Sequence, residues 1–429
     1  MILTIFQSEQ GDCLMVSSDN KNILIDGGMS ESYRKHVAPA LAGLRNTNQV
    51  IDLVCVSHID QDHILGILTM LDDEMDWRTY DYQQSIGNNR AKRPDSDRPP
   101  NITEIWHNAF HEQVSDNNGK IEDMLAAYSI LFSDSEVRDE LERNVSSYAT
   151  SVRQAILLSR RIRAKQLNIP LNIAFNNKLV TADNSRSAVM VGNMNITVIG
   201  PHEEDLEELR DKWNNWLRKN QKALRNISRN AHNDERGIGN ESIPWLGLMD
   251  SIALELGDRS NVTVPNLASI MFLIEQDGIS LLMTGDGHWK DILKGLKAKG
   301  KLKRDGSIHV NILKVQHHGS EHNLNEEFCR RVTADHYVFC GDGSHHNPDL
   351  RVVETIIQSR ISQGEARAVT REVSDQFTLW FNSSSQITKD ENKEHMRELE
   401  DMVKEHANAE NQIQFHFMPR NRSNLEINL

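Results

Sequence analysis

The segment Ser57-His58-Ile59-Asp60-Gln61-Asp62-His63 follows directly on the apolar run Ile51-Asp52-Leu53-Val54-Cys55-Val56. A buried strand that ends in this way delivers two imidazoles and two carboxylates to one sheet edge from a single turn, and these are the side chains that bind divalent cations. One histidine beside one aspartate after a strand is ordinarily a capping or hydrogen-bonding pair. Four such residues in six positions, with Ile64-Leu65-Gly66 and a further apolar run behind them, read as a metal site.

Three other segments set polar groups at strand ends in the same manner. Gly11-Asp12-Cys13-Leu14-Met15-Val16 precedes Asn22-Ile23-Leu24-Ile25-Asp26-Gly27-Gly28, a hairpin whose second strand ends in an Asp-Gly-Gly turn. Ile279-Ser280-Leu281-Leu282-Met283-Thr284-Gly285-Asp286 is an apolar strand ending in a carboxylate, and Ile312-Leu313-Lys314-Val315-Gln316-His317-His318-Gly319-Ser320 is one ending in paired histidines.

In sequence order, these motifs resemble those of the metallo-β-lactamase-fold hydrolases, and among them the ComEC-like branch. Asn266-Leu267-Ala268-Ser269-Ile270, before the Thr-Gly-Asp strand, resembles that branch too. The likeness spans residues 1 to 110 and 190 to 382. It implies an αββα sandwich, two facing mixed sheets with helices outside and the site along one sandwich edge. It also implies two divalent metal ions, with His58 and Asp60 on the first, Asp62 and His63 on the second, and Asp286 as the bridge. The paired histidines close the second site, His318 being favoured over His317 as the direct ligand. Asp26 is expected to support the ligands by hydrogen bonds.

Two such ions, about 3.5–4 Å apart, can hold a bridging hydroxide and neutralise an oxyanion, chemistry suited to hydrolysing a phosphodiester or a strained acyl bond. Asp60 stands where many proteins of this fold carry a second histidine. A carboxylate there hardens the first site, so Mn2+ or Mg2+ competes with Zn2+. A third protein ligand for the first ion is less evident: His202 lies past the strand at 194 to 200, and His107 and His111 lie past the strand at 102 to 106. Asp342-Gly343-Ser344-His345-His346-Asn347-Pro348-Asp349 resembles a late His-Pro motif of the superfamily, with Asn347 in the usual histidine position. His346 is the expected contact to a scissile phosphate or leaving group, beside Asp62 and Asp286 as catalytic residues, with His345 and Ser320 as substrate contacts.

The chain that must position these residues has 429 residues, 38% hydrophobic content and a net charge of −14. No run approaches the ~18 apolar residues of a membrane span, and the apolar start Met1 to Phe6 is short for a signal sequence, so a cytoplasmic protein is expected. Cys13, Cys55, Cys329 and Cys340 lack a C-x-x-C spacing and read as reduced structural residues, which leaves ligation to histidine and carboxylate.

A helix is expected over Ser32 to Ala42, a proline-broken loop over Arg93 to Pro100, and strands at 102 to 106, 194 to 201, 337 to 340, 366 to 370 and 376 to 381. Residues 1–382 read as the hydrolase domain, with a helical insertion at about 112–185 and a basic, aromatic one at about 205–255 that holds Trp213, Trp216 and Trp245. Residues 383–429 read as an extension of one charged helix and a short strand. Lys297, Lys299 and Lys301, with the Trp-Arg insertion, are the candidates to track a phosphate chain of single-stranded nucleic acid.

The leading expectation is a phosphodiesterase or nuclease. Hydrolysis of an ester, lactone or lactam by the same ions is the alternative reaction. A metal-stabilised module without catalysis, meeting a protein partner through the helical insertion or the C-terminal extension, is the alternative outside enzymology.

Overall fold

The computed structural model describes residues 1–108, 154–155, 157–185, 187–204, 206, 268–370, 373–407 and 413–429. Most of the expected helical insertion, the 205–255 segment with its tryptophans, and His111 lie outside them.

Apolar runs, most of them buried on both faces, build two sheets. The first contains β1 (Ile2–Phe6), β2 (Leu14–Ser18), β3 (Lys21–Ile25), β4 (Leu53–Val56), β5 (Ile105–His107) and β14 (Asn424–Asn428), in the order β14-β1-β2-β3-β4-β5. The second contains β6 (Val189–Val191), β7 (Met194–Gly200), β8 (Met271–Gln276), β9 (Ile279–Met283), β10 (Ile308–Lys314), β11 (Val332–Phe339), β12 (Phe377–Phe381) and β13 (Ile413–Phe417), in the order β13-β12-β11-β10-β9-β8-β7-β6. β3, β4 and β5 are parallel, as are β9 to β13, and the other pairings are antiparallel.

The period-2 pattern sorts each strand's side chains between two cores. Leu3, Ile5, Ile23, Ile25 and Cys55 meet Val198, Phe272, Leu281, Ile312 and Val338 between the sheets. Leu24, Val54 and Val56 face outward onto Tyr33, Leu41, Ile64, Ile67 and Leu71 of the helical layer. Leu313, Val315, Tyr337 and Phe339 face the opposite layer, with Ile292, Phe328, Val353, Ile357 and Leu399. The α-helices among the described residues include α1 (Ala38–Asn46), α2 (Gln61–Ser85), α3 (Trp289–Ala298), α4 (Glu326–Arg331), α5 (Leu350–Ile361) and α6 (Lys393–His406). Helices outside and two sheets inside make the αββα sandwich of the metallo-β-lactamase fold.

Several expectations need correction. The helix expected at Ser32 to Ala42 is a continuous helical run from Ser30, with a π turn at Tyr33–Val37, ending at Asn46. Ala366 to Thr370 forms no strand: Gly364–Ala366 is a short 3-10 turn, and β11 takes its parallel neighbour from Phe377–Phe381 instead. Residues 383–429 contribute a strand to each sheet. β13 extends the second sheet beside β12, while β14, unanticipated, pairs antiparallel with β1 and extends the first. Among the described residues no helix is long and apolar enough to cross a membrane.

Candidate metal centre

Parallel strands bring their carboxyl ends to one edge, where the chain leaves each strand with backbone groups unused by the ladder; ligands gather at such edges in open α/β sheets. Here Asp26 follows β3, His58 lies two residues past β4, Asp286 three past β9, and His317 and His318 three and four past β10. Residues far apart in sequence therefore meet because their strands end together.

The local fold requires close backbone approaches. A Cβ at Gly66 would lie 1.9 Å from the carbonyl oxygen of Gly27, and one at Gly11 would lie 1.8 Å from that of Asp62. Without side chains at these positions, the first turns of α2 seat on the Asp26-Gly27-Gly28 turn, fixed by Gly27 N–H to His63 O at 2.8 Å and Gly66 N–H to Gly28 O at 2.9 Å. Asp60 is the residue before α2, yet its side chain does not cap the helix. It turns to His58, with Oδ2 3.6 Å from Nε2.

Asp286 Oδ2 is the hub. It lies 3.6 Å from His58 Nε2, 3.4 Å from His63 Nε2, 3.4 Å from His318 Nε2 and 3.8 Å from His317 Nε2. Asp62 is 3.1 Å from His318 Nε2 through Oδ2 and 3.9 Å from His63 Nε2 through Oδ1. Most of these separations are too long for hydrogen bonds. They approach the spacing of about 3.4 Å between neighbouring ligands at Zn–N distances in a tetrahedral site. Nε2 of His58 and of His63 is buried without a hydrogen-bond partner among the described residues, as is Asp286 Oδ1. Buried polar atoms left in this way call for a further partner. His58, His63 and Asp286 form one compact group of ligand atoms, and the donor set fits a divalent cation.

The other ring nitrogens are held from behind. Asp26 Oδ2 accepts from His63 Nδ1 at 2.9 Å and from Ser57 Oγ at 2.6 Å, while its Oδ1 accepts from Ser57 N–H at 2.7 Å. His58 Nδ1 lies 3.0 Å from Ser57 Oγ, and His318 Nδ1 donates to the Cys340 carbonyl at 2.6 Å. Such partners fix the ring and aim the remaining nitrogen at a metal. Asp26 thus sits behind the ligands. His317 and His318 both have left-handed backbones, at φ 46° and 56°, an uncommon conformation for non-glycine residues that clusters at functional sites.

Electrostatics follows from the packing. Burial opposes charge on His63, but Asp286, Asp26, Asp62 and Asp12 overcome it and raise its pKa well above the ordinary range. His318 is raised against burial in the same way by Asp286, Asp12 and Asp62. Burial also opposes ionisation of Asp286 and Asp62; nearby imidazoles outweigh it and hold both carboxyls low. His317 is shifted the other way, lowered chiefly by its burial.

Some expected residues lie elsewhere. His107 is buried at the end of β5, its backbone bracketed by the Asn172 amide, and His202 lies 3.8 Å from Asp183. Neither joins a group of metal-ligating atoms among the described residues. His345 and His346 are exposed, the latter 5.3 Å from the His395 ring, on a loop that packs behind His318. Ser320 is buried, accepting a long 3.4 Å hydrogen bond from His322 N–H.

Lys299 donates to the Ala182 and Ser185 carbonyls, and Lys301 pairs with Glu275. Glu275 is opposite Ser280 at the start of β9, whereas Asp286 follows the end of that strand. At ~3.3 Å per residue the two lie roughly 20 Å apart. The lysines are therefore at the far end of the sandwich, with Lys297 on the last turn of the helix leading to them.

The sequence reading omitted Asp12, Lys314 and Asn323 from the site. Asp12 is buried, with Oδ1 3.3 Å from His318 Nδ1, and is ion-paired with Lys314. Asn323 donates to Asp286 O at 2.9 Å and accepts from His317 Nδ1 at 2.6 Å, tying the two loops together. For Lys314 a signal existed: a lysine in an otherwise apolar strand has to find a buried partner.

Residues 8–73 match the family model described as the metallo-beta-lactamase superfamily. The matched segment includes Asp12, Asp26 and the His58–His63 run. Among solved structures the chain is similar to Zn(2+)-bound PqqB from Methylobacterium extorquens, at 10% identity and a TM-score of 0.35 over 100% of both chains. It is also similar to a protein of unknown function from Enterococcus faecalis V583, at 10% identity and a TM-score of 0.27, covering 96% of this chain and 86% of that one. No curated protein matches the chain.

Proposed function

We propose that the protein is a phosphodiesterase, with nucleic acid or a nucleotide as the substrate class, working with two divalent ions, Mn2+ or Zn2+. The observation that carries this reading is the convergence of His58, Asp60, Asp62, His63 and His318 on Asp286, with buried Nε2 atoms aimed inward. His58 and Asp60 would hold one ion, Asp62, His63 and His318 the other, and Asp286 both. Bound there, the ions would supply Lewis acidity and a water activated at neutral pH.

The protein's own share is orientation. Asp26, Ser57 and the Cys340 carbonyl keep the imidazoles in one tautomer and one direction, and Asn323 holds the His317 ring beside Asp286. A donor set with as many aspartates as histidines favours hard cations and hard, anionic oxygen substrates. The motif series of the ComEC-like branch points the same way.

The test is hydrolysis of bis-p-nitrophenyl phosphate, single- and double-stranded DNA, RNA, nitrocefin and a simple lactone by the purified chain with Mn2+ or Zn2+. Turnover of phosphodiesters that EDTA abolishes is expected. Cleavage of nitrocefin or the lactone alone would replace the phosphodiesterase reading by the acyl one, and inertness on all of them would refute hydrolysis.

A further inference from the structure

Lys314 is the last residue of β10, and its side chain enters the space between the sheets, directly beneath the imidazole cluster. Only 1% of it is exposed. Two acceptors hold the ammonium, Asp12 Oδ2 in an ion pair and Gly285 O at 3.0 Å, and Asp286 Oδ1 lies 3.7 Å away, too far for a hydrogen bond but close enough for charge attraction. Asp286 is thereby divided. One oxygen faces the ammonium, while the other faces four histidines.

Asp12 is divided too. Oδ2 meets Lys314, and Oδ1 meets His318 Nδ1 at 3.3 Å. Asp12, His63 and His318 make a second compact group of ligand atoms, but Lys314 already supplies the positive charge there. That group is a seat for the ammonium. It is not a further cation site.

The charges of the centre balance around this residue. With the imidazoles neutral as ligands, the carboxylates of Asp12, Asp26, Asp60, Asp62 and Asp286 and the ammonium of Lys314 leave four negative charges, which two divalent ions would neutralise before any hydroxide is bound. We propose that Lys314 is a positioning residue, a built-in cation that fixes which oxygen of Asp286 faces the imidazoles and trims the centre's charge to that of two divalent ions. This rests on the metal reading above and adds the residue that sets its charge and orientation.

The experiment compares the wild type, Lys314→Met and the double variant Asp12→Asn/Lys314→Met, as full-length chains stripped with EDTA. Each is titrated calorimetrically with Mn2+ and assayed on bis-p-nitrophenyl phosphate. Removing a positive charge about 4 Å from a ligand should tighten Mn2+ binding on the order of tenfold in Lys314→Met. Turnover should nevertheless fall, in kcat with KM unchanged, because Asp286 is no longer held. In the double variant one charge of each sign has gone: Mn2+ affinity should return close to the wild-type value while kcat stays low.

Tighter metal with slower turnover is a combination that loss of structure does not produce. Weaker Mn2+ binding by Lys314→Met together with normal binding by the double variant would overturn the charge role, and wild-type kcat in the double variant would overturn the positioning role. If Lys314→Met does not fold, the double variant's kcat decides. The titration also separates the two proposals: on a wild type that hydrolyses nothing, the hydrolase reading fails, while the affinity order still confirms or refutes Lys314 as the centre's built-in cation.

Discussion

The two halves of the candidate metal centre are built differently. Asp62, His63 and His318 are enclosed: His63 is fully buried and gripped by the Asp26 carboxylate, and His318 is fixed by a backbone carbonyl. The other half is more open at Asp60 alone, whose side chain is 29% exposed against 20% for Asp62; His58 is as buried as the other imidazoles but, among the described residues, has the Ser57 hydroxyl and no carboxylate behind it. Imidazoles backed by a carboxylate are better donors than those backed by a hydroxyl, and a closed ligand set retains its ion. On the proposed reading, the half with the carboxylate-backed imidazole would hold its cation the more firmly, and the half with Asp60 would hold its cation less firmly.

The harshest way to break that contrast is to remove the residue common to both halves. Asp286→Ala is expected to lower metal content in elemental analysis and to abolish turnover together. Full metal content with full activity in this variant would refute the centre altogether. Next in size is Asp26→Asn, which weakens the grip on His63 alone. An expected loss of roughly 10–100-fold in the affinity of the tighter ion, the usual size for such supporting residues, should be visible in a chelator competition assay. Ser57→Ala should disturb both rings less, since it removes a hydroxyl and leaves the Asp26–His63 contact in place. If Ser57→Ala costs more than Asp26→Asn, the enclosed half is not the tighter one.

How far the sequence revealed this centre depended on how local each contribution was. His58, Asp60, Asp62 and His63 come from one turn, so their grouping could be read directly. Asp286 and His318 could be read because each ends an apolar strand, and parallel strands of one sheet end at one edge. Asp12 was legible as part of a motif but not as a neighbour of His318, a contact that depends on the facing of the two sheets. Lys314 stood out as a lysine in an apolar strand, but its partner Asp12 comes from the other sheet and could not be read from the sequence. β14 was invisible for the same reason, since five residues with two buried apolar side chains become a strand only beside β1. The expected strand at 366 to 370 failed because its backbone amides turn to the Ser359 and Arg330 carbonyls and not to a neighbouring strand, which pattern alone does not reveal.

Asp60→His sharpens the comparison from the open side. Imidazole is the softer ligand, so the variant's activity should shift from Mn2+ toward Zn2+, and the affinity gap between the two halves should narrow. The profile with each metal, measured on one substrate, checks this. An unchanged preference would place Asp60 outside the ligand set despite its 3.6 Å approach to His58.

The smallest expected effect lies at the far end of the sandwich. Lys299 and Lys301 are held by the Ala182 and Ser185 carbonyls and by Glu275, so they have structural partners roughly 20 Å from the hub at strand spacing. Had they tracked a phosphate chain, each lost contact would flatten the log-log salt dependence of nucleic-acid binding by roughly 0.7–0.9. The expectation from their position is the opposite: the pair Lys299→Ala and Lys301→Ala should leave both the salt slope and hydrolysis of a small phosphodiester at wild-type values. Stability should fall only modestly, because exposed ion pairs contribute about 0–1 kcal/mol. A flattened slope with small-substrate turnover intact would show that a bound nucleic acid runs the length of the sandwich, and that the open half of the centre is one end of a much longer binding surface.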